Sequence, residues 1–299
     1  MVGSEHRSGF VAVSGRPNVG KSTLLNAILA QDVLPVSPKP QTTRVRQLAI
    51  LTTPVAQVVF VDTPGIHQPR HRLGKYMNSV ASNALNDAEV ILCVFDVHLL
   101  PKTGDRLVAE AILERAGDTA TIAAMNKMDL VRPEQLQNHW DAYLALLPDA
   151  LPIGVSATRG DNLDLLIREV VDRLPNGPQY YSDAEITDAY ERDIAADLIR
   201  SAALELLRDE IPHSLAVQVD EFKERREHGA YISATLYVER DSQKGIVIGK
   251  RGSMLREIGK LGRESIEQMS GRKVYLDLRV KVWPGWRDDE TALRRLGYG

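Results

Sequence analysis

The chain has 299 residues, enough for two domains that each bury a substantial core. Its apolar and charged fractions are those of an ordinary soluble protein. No run approaches the roughly 18 consecutive apolar residues of a membrane-crossing helix, and no signal-peptide pattern opens the chain. A single cysteine, Cys93, excludes a disulfide within the chain, and a net charge of -3 neither requires nor excludes a polyanionic partner.

Phe10-Val11-Ala12-Val13-Ser14 is short, apolar and β-prone, and it leads into Gly15-Arg16-Pro17-Asn18-Val19-Gly20-Lys21-Ser22. Every fixed position of the phosphate-loop pattern G-x-x-x-x-G-K-[ST] is met. The residues from Lys21 through Thr23 to Leu29 have helical apolar spacing, so the new helix turns its N-terminal amides toward the same anion. Lys21 is expected on the β- and γ-phosphates and Ser22 on Mg²⁺. A polar, proline-punctuated stretch from Gln31 to Thr43 follows and ends in Gln41-Thr42-Thr43-Arg44. A threonine here fits a second Mg²⁺ and γ-phosphate contact; Thr43 is favoured, and Thr42 stays open. Strands are expected at Val45–Leu51 and Val55–Val61. The second closes on Asp62-Thr63-Pro64-Gly65, where Asp62 is expected to hold Mg²⁺ through water and the Gly65 amide to meet the γ-phosphate. Lys21, Thr43 and Gly65 form the expected catalytic set.

A helix to about Asn86 precedes the strand Val90–Asp96, in which Cys93 reads as a small buried hydrophobe. Gly104–Arg115 (helix), Ala120–Met125 (strand), Pro133–Leu146 (helix), Leu151–Val155 (strand) and Asn162–Leu174 (helix) complete the first half. Alternation of this kind predicts a doubly wound, mostly parallel α/β sheet with ligands at the carboxyl ends of its strands. Asn126-Lys127-Met128-Asp129 falls at such an end. Asp129 can accept two hydrogen bonds from the guanine ring N–H and amino group, a donor pair that adenine lacks. Ser156-Ala157 ends the last strand, and the Ala157 amide is expected on the guanine carbonyl.

Leu174-Pro175-Asn176-Gly177-Pro178 is a turn-rich break. It sets the expected boundaries: a first domain over 1–177, a linker over 178–187 and a second domain over 188–299. In the second, a helix is expected at Asp188–Arg208, strands at Ser214–Phe222 and Tyr231–Glu239, a helical region over Lys244–Ser270 and a strand at Lys273–Val282. Lys223–His228 reads as a solvated hairpin tip. From Arg240 to Lys281 there are eleven Lys/Arg against five Asp/Glu, a local balance of +6, whereas residues 1–185 carry 17 basic and 20 acidic side chains. The basic excess therefore lies late in the chain, around Gly249-Lys250-Arg251-Gly252. A G-x-x-G loop between helices is the mark of a KH domain, which clamps the backbone of about four nucleotides. Lys250 and Arg251 would add charge, and Ile246, Val247 and Ile248 would floor the base groove. The helix–strand–strand–helix–helix–strand order is that of a type II KH domain.

Taken together, these motifs resemble the translation-factor-related GTPases, and within them the Era family of bacterial ribosome-assembly GTPases. The wording that carries the resemblance is Gly15 to Asn26, Gln41 to Arg44 and Asp62-Thr63-Pro64-Gly65-Ile66-His67 in the first half. Glu239-Arg240, the G-x-x-G loop, Gly285-Trp286-Arg287-Asp288-Asp289-Glu290 and Leu296-Gly297-Tyr298 carry it in the second. The resemblance implies slow, Mg²⁺-dependent hydrolysis of GTP to GDP. It also implies binding to the 3′ end of small-subunit ribosomal RNA, a role in 30S assembly and a cytoplasmic monomer. Peripheral association with the inner membrane belongs to the family as well, although no amphipathic anchor is evident here. One departure concerns catalysis: Ile66 stands where Ras-like GTPases carry a water-orienting glutamine. In related GTPases the residue at Asn18 helps to hold K⁺ in place of an arginine finger, which makes K⁺ a candidate cofactor. His213 stands where an aromatic residue is expected and reads as structural. Two other classes compete with this reading: a metabolic NTPase or kinase without base selectivity, and an RNA-binding adaptor that holds GTP without turning it over.

Overall fold

The computed structural model describes residues 6–36, 43–69, 71–115, 117–225 and 229–298. They form two compact units, one built from residues up to Asp188 other than 35–36 and 71–76, the other from those and from Ala189 onward.

The first half of the chain runs β1 (Arg7–Ser14), α1 (Lys21–Leu29), β2 (Gln47–Thr52), β3 (Ala56–Asp62), α2 (Arg72–Asn86), β4 (Val90–Asp96), α3 (Thr103–Arg115), β5 (Ala120–Asn126), α4 (Pro133–Leu144), β6 (Leu151–Gly154) and α5 (Leu163–Val171). The strands form one sheet in the order β2-β3-β1-β4-β5-β6, parallel except for β2. Its apolar strands feed two cores by simple alternation. Val11, Val13, Leu92 and Val94 pack on one face, while Ala12, Ile91, Cys93 and Phe95 pack on the other. Burial on both faces is why these strands read as unbroken apolar runs. Strand β1 lies between β3 and β4, where the strand order reverses. A crevice opens beyond the carboxyl end of such a strand, and the phosphate loop follows β1 directly.

Two expectations change here. Strand β2 begins at Gln47, not Val45. Gln47 pairs with Asp62, the last residue of β3, so Val45 lies beyond the end of its neighbouring strand. Residues 178–187, expected as a linker, and Asp188, expected to open the second domain, are bonded to the first unit. Gln57 Oε1 accepts from the amides of Tyr180 and Tyr181 at 2.7 and 3.0 Å. Ile50 N–H donates to Ile186 O at 2.9 Å, and Leu48 N–H to Asp188 Oδ1 at 3.2 Å. The segment thereby covers the otherwise open edge of β2.

The second unit holds α6 (Glu191–Leu206), α7 (Ile211–Ser214), β7 (Ala216–Arg225), β8 (Gly229–Val238), α8 (Asp241–Ile248), a short 3-10 turn (Lys250–Gly252), α9 (Ser253–Ser270), β9 (Lys273–Val282) and α10 (Glu290–Arg295). Its sheet has the order β7-β8-β9, antiparallel then parallel. The order α6-β7-β8-α8-α9-β9 is the KH arrangement. Helix α6 packs on β7, and α8 and α9 pack on β9. Ser214 falls in α7 and not in the strand, because Pro212 opens that helical turn. Trp286 is fully buried and donates from Nε1 to Ser214 O at 3.0 Å, which fastens the chain beyond β9 to this core. Among the described residues, no helix is long and apolar enough to cross a membrane.

Candidate functional site

Five successive carbonyls of the phosphate loop are each engaged by a side chain. Lys21 Nζ donates to Gly15 O at 3.1 Å and to Arg16 O at 3.4 Å. Arg16 Nη1 donates to Pro17 O at 3.2 Å, Lys127 Nζ to Asn18 O at 3.1 Å and Asn126 Nδ2 to Val19 O at 2.9 Å. A loop whose carbonyls are held in this way can offer its N–H groups to an anion. Gly20, at φ 99°, brings the loop against Asn126: a Cβ there would lie 2.5 Å from Asn126 Nδ2 and displace the side chain that holds Val19. Thr23 follows in the first turn of α1.

Two acidic residues that sequence reasoning missed hold the cations of this arrangement. Asp96 Oδ2 accepts from Lys127 Nζ at 2.8 Å and from Arg16 Nη2 at 3.3 Å, which joins the phosphate loop to the Asn126–Asp129 motif. Asp105 accepts from Arg16 Nε and from the amide of Lys102. No spacing in the sequence announces either, because each depends on strands and helices brought together by the fold.

Ser22, Thr43 and Asp62 meet. Ser22 Oγ and Thr43 Oγ1 donate to the same atom, Asp62 Oδ2, at 2.9 and 3.0 Å, and lie 3.4 Å from each other. Asp62 is fully buried, and its Oδ1 has no partner among the described residues. Three oxygens on one point, one of them from a carboxylate with an unused oxygen, fit a divalent cation that takes oxygen ligands. Gln41 and Thr42 lie outside the described residues. Burial pushes the Asp62 carboxyl above its ordinary range, opposed by Lys21, Ser22 and Thr43. Burial likewise draws the Lys21 ammonium below its usual value, opposed by Asp62. Thr63 Oγ1 donates to Val13 O at 2.9 Å and so anchors the turn through Pro64 to β1. Gly65 packs on Pro17, and its carbonyl lies 2.8 Å from His67 Nδ1. Ile66 is buried and belongs to the same core as Val61 and Phe95.

In the Asn126–Asp129 motif, Asp129 Oδ1 is buried without a hydrogen-bond partner among the described residues. An exposed-edge donor pair on a purine would satisfy it. Asn126 is buried, and its Oδ1 accepts from the Ala157 amide at 3.1 Å while its Nδ2 holds Val19. Asn126 therefore braces the site, and the Ala157 amide, expected on the guanine carbonyl, donates to Asn126 in this structure. Ser156 Oγ accepts from the Arg159 amide at 3.2 Å and shapes the same turn.

In the second unit, α8 ends at Gly249, Lys250–Gly252 form the 3-10 turn, and Lys250 and Arg251 are exposed. Arg251 O accepts from Arg256 Nη2 at 2.8 Å, which steadies the loop. A groove of about 520 Å³ starts at Gly252 and runs between α9 and β9. Leu255, Gly259, Leu276 and Leu278 floor it, and Arg256, Lys260 and Arg263 stand along its helical side. Of the three residues expected to floor the base groove, Val247 is excluded by its burial. Val247 is fully buried in the core, Ile246 is 52% exposed, and neither they nor Ile248 line the groove.

Residues 10–127 match a family of 50S ribosome-binding GTPases, and residues 210–287 match the KH domain. The chain is 45% identical over 300 residues to GTPase Era of Geobacter metallireducens, covering all of both chains. It is 45% identical over 295 residues to GTPase Era of Lacticaseibacillus paracasei, covering 99% of this chain and 98% of that one. A crystal structure of Era in complex with MgGDPNP and nucleotides 1506–1542 of 16S ribosomal RNA is similar over 98% of this chain and 99% of that one. The TM-score is 0.91 and the identity 36%. A crystal structure of an Aquifex aeolicus Era variant bound to GDP and AlF4⁻ is similar to the same degree.

Proposed function

This chain is a member of the Era family of GTPases, and from that premise we propose that its KH unit grips the 3′ end of small-subunit ribosomal RNA under the control of the bound nucleotide. The phosphate loop and α1 receive the phosphates of GTP. Lys21 stabilises negative charge that develops on the γ-phosphate, and the Gly65 amide binds the same group. Ser22, Thr43 and Asp62 hold magnesium, which when bound neutralises charge on the β- and γ-phosphates. Asp129 selects guanine, while Asn126, Lys127 and Asp96 keep Asp129 and the phosphate loop in register. With Ile66 turned into the core, no side chain at that position activates water, in keeping with slow turnover. Asn18 serves as a ligand for K⁺; equal turnover in sodium and potassium would contradict that role.

The observation that carries the RNA reading is the groove that begins at Gly252 and runs beneath Arg256, Lys260 and Arg263. It offers apolar floor to bases and positive charge to phosphates, the two surfaces that a single strand presents. On this reading the chain acts as a monomer in the cytoplasm on assembling 30S subunits. Membrane fractionation tests peripheral attachment. The direct test of RNA binding is anisotropy with a short RNA copying the small-subunit 3′ end against a scrambled RNA of equal length. Lys250→Glu and Arg251→Glu are the suitable variants, because both side chains are exposed. Gly249→Asp is not, since a Cβ there would sit 2.7 Å from the Met254 amide nitrogen at φ 72°. Preference for the authentic RNA, lost in the charge-reversed variants, supports the reading. Equal binding of both RNAs overturns it.

A further inference from the structure

Strand β9 carries an exposed aromatic residue that the KH reading does not use. Along β9, Val274, Leu276 and Leu278 face the helices and the core. Tyr275, between them, faces the other side of the sheet and is 64% exposed. At the edge strand of the sheet it stands beside the groove that starts at Gly252. Its ring is stacked on that of Tyr231, its register partner on β8, with centroids 5.7 Å apart and planes 19° apart. One face of the Tyr275 ring is thus braced by a neighbour, which restricts its rotamers, while most of the residue stays open to solvent.

We propose that Tyr275 is a base-stacking platform for a single RNA strand that leaves the groove over the free edge of β9. The inference rests on the RNA reading above and extends it. Arg256, Lys260 and Arg263 are spaced four and three residues apart and so follow one face of α9. They span about 10 Å along the helix. A strand whose phosphates follow these cations is delivered to the β9 edge, where Tyr275 stands. Base–aromatic stacking tolerates any base, since every base has a π-face. The platform therefore lengthens the bound segment beyond the nucleotides clamped at Gly249–Gly252 without adding sequence selectivity. An aromatic pair across two strands also steadies a sheet, and the experiment separates the two roles.

The full chain, loaded with a GTP analogue, is titrated with an RNA of about four nucleotides, the length a G-x-x-G loop clamps, and with one twice as long. The longer RNA carries 2-aminopurine in its second half. Tyr275→Ala should weaken binding of the longer RNA about tenfold or more, leave the shorter within about twofold and abolish the stacking quench of 2-aminopurine. Tyr275→Trp should keep both the affinity and the quench. Equal losses for the two lengths would assign Tyr275 to the sheet alone and overturn the proposal, as would no loss for either. If the wild-type chain binds neither RNA, the reading of the KH unit fails first and this inference falls with it.

Discussion

Arg16 places Nε 3.0 and 3.1 Å from the two oxygens of Asp105, a carboxylate without exposed surface. The guanidinium so held is the one that donates to Pro17 O inside the phosphate loop. Asp105→Ala would leave Arg16 with Asp96 as its remaining acidic contact and should cost about 3 kcal/mol of stability, as the loss of one partner of a buried pair does. Nucleotide affinity should fall with it, and turnover of bound nucleotide should change little. Urea denaturation of Arg16→Ala, Asp105→Ala and the double variant checks this. The double variant should cost clearly less than the sum of the singles.

Ser22 and Thr43 share one oxygen of Asp62, so the charge of that carboxylate governs the cation. Asp62→Asn keeps the shape and removes the charge. The magnesium concentration for half-maximal phosphate release should rise about tenfold or more, the sensitivity typical of groups that hold or orient a metal. Chelation of magnesium in the wild-type chain should stop phosphate release outright.

Asp129→Asn should turn the chain against guanine and toward xanthine nucleotides. An acceptor that loses its donor pair in a buried site discriminates by about 10⁴-fold. Competition between GDP and XDP measures the reversal. Unchanged GDP affinity would remove Asp129 from base recognition.

Burial, then the nearby charge of Asp105, pushes the Cys93 thiol and the Tyr143 hydroxyl well above their ordinary values. The folded chain keeps these protons where the unfolded chain releases them. Stability from this source is fully present below the unfolded thiol pKa of about 8.5 and is lost as pH rises beyond it. Urea midpoints should therefore drop between about pH 8 and pH 10, and Cys93→Ala should soften the drop. Native Cys93 should resist thiol reagents that modify it after unfolding.

Val247 and Ile246 are adjacent and should behave oppositely. Val247→Ala opens the KH core and should cost about 2 kcal/mol. Ile246→Ala, at an exposed position, should stay within about 0.5 kcal/mol. Thermal unfolding of the two variants decides the matter.

That contrast marks how far the sequence could be read. The phosphate loop, Asp62–Gly65, Asn126–Asp129 and the G-x-x-G loop are local patterns whose spacing is itself the geometry, so residues at their fixed positions stood out. The alternation of Val11 to Val13 and of Ile91 to Phe95 was likewise enough to predict a two-faced sheet. Ile246-Val247-Ile248 is one apolar run, but on a helix its residues point about 100° apart, and only the packing reveals which faces the core. Asp96, Asp105 and the Asn126–Ala157 bond unite residues 31 to 89 positions apart. Residues 178–187 read as a linker because their partners lie far back in the chain, at Gln57 and on β2.

Coupling between nucleotide and RNA is the central claim, and the affinity of the wild-type chain for the 3′-end RNA tests it most directly, measured with a GTP analogue and then with GDP. The account predicts binding at least about tenfold tighter with the analogue, and linkage requires that the RNA raise preference for the analogue over GDP by the same factor. Equal RNA affinity in the two states would contradict it.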